Sequence, residues 1–480
     1  PVLTIVVTQL AGVELAGMFS LAFVTGSLLM ILANYGVRTY QISDLDEAHS
    51  FSDYQINRWI TCAAMLIVGW IYCAIRGYAG EMFTISMGVY VYKMVDGLAD
   101  VYEGRLQQKD KLYLAGISQA FRSVLVLVVF SVALFITRSV SVSCIAMAVA
   151  AGISFIVLTL PLAIWETPRS ARVNFDSVVT LFKQCAPLFV ALFLYSLIDN
   201  MPKFVMEGVL SYGNQLYYNV LYFPAMGILL TAQLIYKPML VKMAAVWADP
   251  EKRKRFDMII VVIVAVILGI TVAMAFIMGW IGITIMSFLY GIDFEQFRGL
   301  VFIMLAAGGV TACIDFLYQV VTVLRQQRTV TKLYLITFGF SLFVPVLLVN
   351  FTGLPGAIIG YLIVMCILLV LLVWEYGKVR MALAERDKQE AAAHATLVVG
   401  HVVTTGEDSV EREGSERRAA ASGERAEGPA RDGEGAARER ESRARERGES
   451  GRSREREGSA RRRRSRDTSA KPRTPRSPRR

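Results

Sequence analysis

The feature that most constrains this chain is a series of apolar runs, each about 20 residues long, that recur from the first residue to about residue 380. A helix of about 20 residues, rising 1.5 Å per residue, crosses a hydrocarbon core of about 30 Å. A soluble protein of this length would not contain so many apolar runs of about 20 residues. The sequence therefore predicts an all-α polytopic membrane protein.

Eleven runs predict full spans, and a shorter apolar segment at residues 1–10 precedes them. They fall at 16–36, 59–75, 82–102, 112–137, 140–164, 178–200, 213–236, 257–281, 297–323, 331–350 and 355–377. The first segment is too short to span a bilayer and lacks the basic region of a signal peptide. We expect that the first helix has lost its N-terminal half, which brings the prediction to about 12 transmembrane helices.

The basic residues of the loops orient these helices. Alternate loops carry Arg38 and Arg58; Arg105, Lys109 and Lys111; Arg169, Arg172 and Lys183; Lys237, Lys242 and EKRKR (251–255); Arg325, Arg328 and Lys332; and Lys378 and Arg380. The intervening loops carry only Arg76, Arg138, Lys203 and Arg298. Since cytoplasmic loops are enriched in Lys and Arg, both termini are predicted to be cytoplasmic.

Two echoes in the sequence indicate an internal repeat. Asp96 is followed by QQK at 107–109 and by KLYL at 111–114, and Asp315 is followed by QQR at 326–328 and by KLYL at 332–335. The offset is 219 residues for both the acids and the glutamines. A weaker echo, at an offset of 199, pairs Phe19, Phe23 and Arg38 with Tyr218, Tyr222 and Lys237.

In both echoes the paired helices are six apart and run in the same direction. This favours two six-helix lobes, residues 1–175 and 176–380, related by a pseudo-twofold axis along the membrane normal. Two-lobed transporters have this arrangement, with the substrate site between the lobes.

Several ionisable residues fall inside the predicted spans, where they are costly and usually face a wet cavity or a partner. Lys93, Asp96 and Asp100 form one helical stripe at i, i+3 and i+7. Arg122 has no acid three or four positions away on its own helix. It therefore suits an anionic ligand, since the guanidinium fork binds phosphate bidentately.

Each of these residues also has a structural interpretation. Lys93 and Asp96 would then form an ion pair, Asp315 would only cap a packed interface, and Arg122 would be paired from another helix. Lys203, in the DNMPK stretch (199–203) at the outer end of a span, would reach the surface through its alkyl stem. Arg38 would be an orienting charge and no more.

Residues 381–480 form a different kind of segment. From 401 onward there are 23 Lys and Arg and 16 Asp and Glu, so this part contributes 23 − 16 = +7 of the formal net charge of +10. Few large apolar side chains are available, so a disordered tail is expected. Its basic end suits anionic lipid headgroups, with RNA or an acidic protein as alternatives, and no specific nucleic-acid target is expected.

Cysteine and histidine positions argue against an enzyme. The six cysteines lie in or beside apolar runs without CxxC spacing, and His49, His394 and His401 lie outside the spans. No P-loop, metal-ligand cluster or nucleophile elbow occurs, so neither a metal nor another cofactor is predicted. A polysaccharide polymerase or ligase, which needs a sizeable outer loop with catalytic groups, is the alternative from another class.

Three stretches resemble bacterial Wzx-type flippases of the multidrug/oligosaccharidyl-lipid/polysaccharide (MOP) exporter superfamily. They are AGMFSLAF…NYGVRTYQISD, VDGLADVYEGRLQQKDK (95–111) and DNMPKFV…YGNQLYYNVLYFPAMGI (199–228), and the resemblance covers residues 1–380. It implies two six-helix lobes around a cationic cavity. It also implies movement of undecaprenyl-pyrophosphate-linked oligosaccharide across the bacterial cytoplasmic membrane for cell-surface polysaccharide or lipopolysaccharide, by alternating access.

By this resemblance, eight residues of this chain are candidates for substrate binding or ion coupling. Arg38, Lys93, Arg122 and Lys203 would bind the sugar pyrophosphate, and Asp96, Asp100, Asp199 and Asp315 would be polar partners or ion-coupling groups. Gln9 stands where many relatives carry a basic residue. The partners implied are the lipid-linked oligosaccharide, membrane lipids and the polysaccharide polymerase machinery. A cation-coupled multidrug exporter of the same superfamily is the nearest alternative function.

Overall fold

The computed structural model describes residues 2–44, 47–167, 175–248, 253–324 and 327–383, with Glu385 and Gln389. These ranges are helical, apart from turns and an isolated bridge between Glu207 and Leu210. The helices are α1 Val2–Ala11, α2 Val13–Asn34, α3 Val37–Ser43, α4 Phe51–Ile75, α5 Gly80–Gln108, α6 Leu112–Thr137, α7 Val140–Glu166, α8 Phe175–Met206, α9 Tyr212–Met239, α10 Leu240–Ala248, α11 Arg253–Tyr290, α12 Glu295–Val323, α13 Thr329–Thr352 and α14 Leu354–Leu383. Most of the predicted tail (381–480) lies outside the described residues, as do Arg169, Arg172, Glu251, Lys252, Arg325 and Gln326.

Ten of the described helices are long and apolar enough to cross a membrane, namely α2, α4, α6 to α9 and α11 to α14. Helix α5 has 29 residues, which is also enough to span, but it carries the charged stripe. With the 10-residue α1 these make the twelve helices expected from the sequence. The chain is a multi-pass membrane protein.

The polar stretch after α2 is a compact reversal of the chain. Tyr35 and Gly36 both have left-handed backbone conformations, with φ of 47° and 68°, which end α2 and start the short α3. Glycine adopts this conformation at no steric cost. Ser50 then caps α4 in a reciprocal capping box with Asp53.

Helix α2 is the main contact between the first half of the chain (α1–α7) and the second half (α8–α14). It packs against α4 and α5 on one side and against α8 and α9 on the other. At Gly17 a Cβ atom would lie 1.9 Å from the carbonyl oxygen of Tyr212, so only glycine allows α2 and α9 to approach this closely. All these helices belong to one compact unit, Pro1–Glu385.

Side-chain contacts show which helix termini share a membrane end. Lys111 binds Glu166 and Arg380 binds Asp257, and successive spanning helices alternate in direction, so the termini near residues 35–51, 108–112, 166–175, 236–253 and 380 lie at one end, which we call the basic end. Glu14 accepts hydrogen bonds from the backbone N–H groups of Tyr212 and Gly213 at the opposite end. The cytoplasmic location of the basic end stays a prediction.

Candidate functional site

Arg122 lies in a buried ion-pair network within the first half. Its Nε donates to Asp96 Oδ1 at 2.8 Å and its Nη1 to Glu103 Oε1 at 2.8 Å, and the side chain is 2% exposed. Thr159 and Ser118 complete the network, and the Ser118 hydroxyl donates to Glu103. No acid lies three or four positions from Arg122 on its own helix, and its two carboxylate partners come from α5. Arg122 would have to give up both carboxylates before it could bind an anionic ligand directly.

Asp100 holds two arginines at the basic end of α5. Its Oδ1 lies 2.5 Å from Arg38 and its Oδ2 lies 2.9 Å from Arg58. Arg58 is completely buried and also donates to the Asn34 side chain and the Ala33 carbonyl group. Arg38 is 32% exposed and donates to Gln107 as well. Asp100 is therefore a structural anchor in this conformation, and Arg38 is the accessible cation of the cluster.

Lys93 differs from these arginines because no carboxylate lies within 4.0 Å of its ammonium group among the described residues. Its Nζ lies over the ring of Phe23, 4.4 Å from the centroid, and 5.3 Å from the ring centroid of Tyr92. Aromatic faces attract a cation through their quadrupole. The alternative in which Lys93 pairs with Asp96 is wrong for this conformation, since Asp96 binds Arg122.

Lys203 has the same kind of surroundings in the second half. Its Nζ lies 4.8 Å from the ring centroid of Tyr222 and 5.7 Å from that of Tyr218, and it donates to the Asn200 side chain at 2.9 Å. Among the described residues it forms no ion pair within 4.0 Å. The side chain is 4% exposed, so Lys203 does not reach the surface as the snorkelling alternative required.

The two lysines lie on equivalent aromatic residues of the repeat. Phe23 is ten residues into α2 and Tyr222 is ten residues into α9, and these helices pack against each other. Ten residues correspond to about 15 Å of helix, or half the thickness of a hydrocarbon core. A lysine near the centre of a span, as Lys93 is in α5, costs roughly 2.5–3.5 kcal/mol on insertion scales. Lys203 lies near the end of α8, and its side chain extends to the ring of Tyr222. Both lysines are therefore candidate functional groups.

The acids of the second half are held by neutral donors. Asp199 accepts a hydrogen bond from the Tyr361 hydroxyl group at 2.7 Å and longer ones from Tyr222. Asp315 accepts from Gln233 Nε2 at 2.9 Å and from the Tyr236 hydroxyl group. Neither acid forms a salt bridge among the described residues. Asp315 thus differs from its repeat counterpart Asp96, which binds an arginine.

A second polar cluster, absent from the sequence prediction, joins the halves at the end opposite the basic end. Glu207, the first residue after α8, is buried, and its carboxylate accepts hydrogen bonds from Arg76 Nε at 2.7 Å, Tyr72 at 2.6 Å and Tyr78. Arg76 also donates to the Glu207 carbonyl oxygen. We call these four residues the end latch, because breaking their contacts is required for α4 and α8 to separate there.

Sequence reasoning also missed Glu103 and Arg58. Glu103 continues the stripe of α5 seven residues after Asp96, so helical spacing alone would have identified it. Arg58 was counted only as a loop charge. The described residues contain no group of three or more His, Cys, Asp and Glu side chains placed to hold a metal ion.

Comparison with solved structures shows the fold. The chain is similar to an inward-facing MATE-family multidrug transporter of the MOP superfamily, with a TM-score of 0.57 and 14% identity over 80% of this chain and 94% of that one. It is also similar to a point mutant of the Vibrio cholerae MATE transporter VcmN, with a TM-score of 0.53 and 14% identity over 80% and 95%. The lipid II flippase MurJ in an inward closed conformation gives a TM-score of 0.59 and 13% identity over 78% and 84%.

At these identities the likeness shows the fold alone, which is that of MOP-superfamily transporters. No protein-family model and no curated protein sequence matches the chain.

Proposed function

We propose that this protein is a flippase that moves undecaprenyl-pyrophosphate-linked oligosaccharide across the bacterial cytoplasmic membrane by alternating access. The observation that carries the proposal is a pair of lysines inside the membrane-spanning part, the half-buried Lys93 and the buried Lys203, one in each half and each without a carboxylate within 4.0 Å among the described residues. A pyrophosphate presents two phosphoryl groups, and two ammonium groups from opposite halves provide a counter-charge for each.

The placement of the lysines fits a transporter better than a static binding protein. Each lysine belongs to a different half, so a bound anion would be held by both, and relative movement of the halves would change its surroundings. The aromatic rings under the lysines hold the ammonium groups without neutralising them, whereas a carboxylate would compete with the substrate. Arg38, at the basic end, is the accessible cation that an arriving lipid headgroup would meet first.

Structural neighbours support a transporter of this fold, and one of them is named for flipping lipid II. In the proposed mechanism Asp199 and Asp315 are available for ion coupling, because the hydrogen bonds that they accept from the described residues come from neutral donors. The same observation favours a second candidate, a cation-coupled multidrug exporter. That function would use the acids directly and would leave Lys93 and Lys203 without a role.

The experiment is to deplete the protein in its own cell and determine on which leaflet undecaprenyl-linked sugar accumulates. Accumulation on the cytoplasmic leaflet with loss of surface polymer is expected. Lipid-linked units that reach the outer leaflet but stay unpolymerised would favour the polymerase alternative. An unchanged lipid distribution together with increased sensitivity to cationic drugs would favour the exporter.

A further inference from the structure

A cavity of about 410 Å³ lies at the basic end between the start of α11 and the end of α14. It is lined by Asp257, Tyr376, Gly377, Arg380 and Met381. It is remote in the fold from Lys93 and Lys203, and the proposed function makes no use of it. We call it, with the cations around it, the basic groove.

The acid inside the groove is already satisfied. Asp257 accepts from Arg380 Nη2 at 2.6 Å and from the Tyr376 hydroxyl group. This leaves Lys254, Arg255 and Lys378 exposed on the same two helix ends, and none forms an ion pair among the described residues. The helix ends that form the groove therefore carry exposed cations without an ion-pair partner among the described residues, with Lys254 one helical turn before Asp257.

Trp247 of α10 fixes two further guanidinium groups beside the groove. The guanidinium carbon of Arg253 lies 5.6 Å from the Trp247 ring centroid and that of Arg380 lies 5.8 Å from it. The indole packs on Phe256 at a centroid distance of 4.9 Å. Tryptophan is enriched at the level of the lipid headgroups, so this platform places the cations at headgroup depth.

The surface continuing from the groove toward the membrane centre is apolar. Met258 and Val261 of α11 and Trp374 of α14 are exposed there, in segments that span the membrane. A soluble phosphate compound would contact only the cations of the groove. An anionic glycerophospholipid would use both parts, with its phosphate on the cations and its acyl chain along the exposed apolar side chains.

We propose that the basic groove is a binding site for the headgroup of an anionic glycerophospholipid. Each Lys or Arg near an anionic surface contributes about 1 kcal/mol, which is about fivefold in the binding constant. Removal of three exposed cations is therefore expected to weaken binding by roughly 10- to 100-fold, since the three contributions need not add fully.

The test is native mass spectrometry of the full-length purified protein titrated with phosphatidylglycerol or with phosphatidylcholine. The groove variant is K254A/R255A/K378A, and the matched control is K183A/K332A, which removes two exposed cations at the same end on α8 and α13. All five side chains are exposed, so both variants are expected to fold. We expect phosphatidylglycerol to bind the wild type and the control more tightly than phosphatidylcholine, and the groove variant to lose this preference.

An equal loss of affinity per removed cation in the two variants would show diffuse attraction to the basic end and would overturn the proposal. Equal affinity of the wild-type protein for phosphatidylglycerol and phosphatidylcholine would also overturn the proposal. Displacement of bound phosphatidylglycerol by millimolar glycerol phosphate would show a site for soluble phosphate instead of a lipid.

Discussion

The carboxylate of Glu207 lies 2.7 Å from Arg76 Nε, and this ion pair joins the second half of the chain to the first at one membrane end. Because Glu207 is 3% exposed, the pair is shielded from water on the side of the acid. Removing one partner of a buried pair is strongly destabilising for the arrangement that contains it. The end latch therefore stabilises closure at this end.

Glu207→Gln is expected to increase opening at the latch by about tenfold, because it removes the charge that holds Arg76. The measurement is the maleimide labelling rate of a cysteine introduced at Ser20, which is buried on α2, after replacement of the native cysteines. Glu81→Gln is the matched control, since Glu81 is exposed at the same end. Labelling that is no faster in Glu207→Gln than in the control would contradict the role given to the latch.

Arg122→Ala is expected to destabilise the protein by roughly 3–5 kcal/mol, because it leaves Asp96 and the buried Glu103 without their counter-charge. In detergent this corresponds to a fall of about 5 °C or more in the unfolding temperature. The neutral triple variant R122Q/D96N/E103Q is expected to recover most of the loss. An Arg122→Ala variant as stable as wild type would show that the network is not formed.

The loop after α3 gives a prediction about pH. A hydrogen bond from Lys109, with a further contribution from Arg105, lowers the pKa of Glu47 from its usual 4.5. A lowered carboxyl pKa adds stability that is present above about pH 4.5 and is lost as the pH falls through the lowered value. Glu47→Gln should thus lower the unfolding temperature at pH 7, and the difference from wild type should shrink toward pH 3. A difference that stays constant with pH would contradict this account.

The sequence was sufficient to place the helices, because each span is set by the local length of an apolar run. It also identified the charged stripe on α5, which follows from helical spacing. The partners of Arg122 could not be predicted in the same way, since they lie 19 and 26 positions away on another helix. The Arg76–Glu207 pair spans 131 positions and depends on how the two halves meet.

The surroundings of the two lysines were also only partly predictable from the sequence. Their depth and the equivalence of Phe23 and Tyr222 can be read from the repeat. Among the described residues, no carboxylate lies within 4.0 Å of the Lys93 ammonium group, because Asp96 binds Arg122 instead. This depends on how α5 and α6 pack, which the sequence does not specify. Sequence spacing alone also allowed the alternative in which Lys93 pairs with Asp96.

The most direct measurement for the central claim uses the double variant K93Q/K203Q in cells depleted of the wild-type protein, with exposed Lys183→Gln as the control. Neither substitution breaks an ion pair among the described residues, so the variant is expected to reach the membrane at wild-type levels. The account predicts that undecaprenyl-linked sugar then accumulates on the cytoplasmic leaflet, as in depleted cells, while the control restores surface polymer. Normal surface polymer in cells carrying K93Q/K203Q would contradict the claim that these two lysines bind the transported anion.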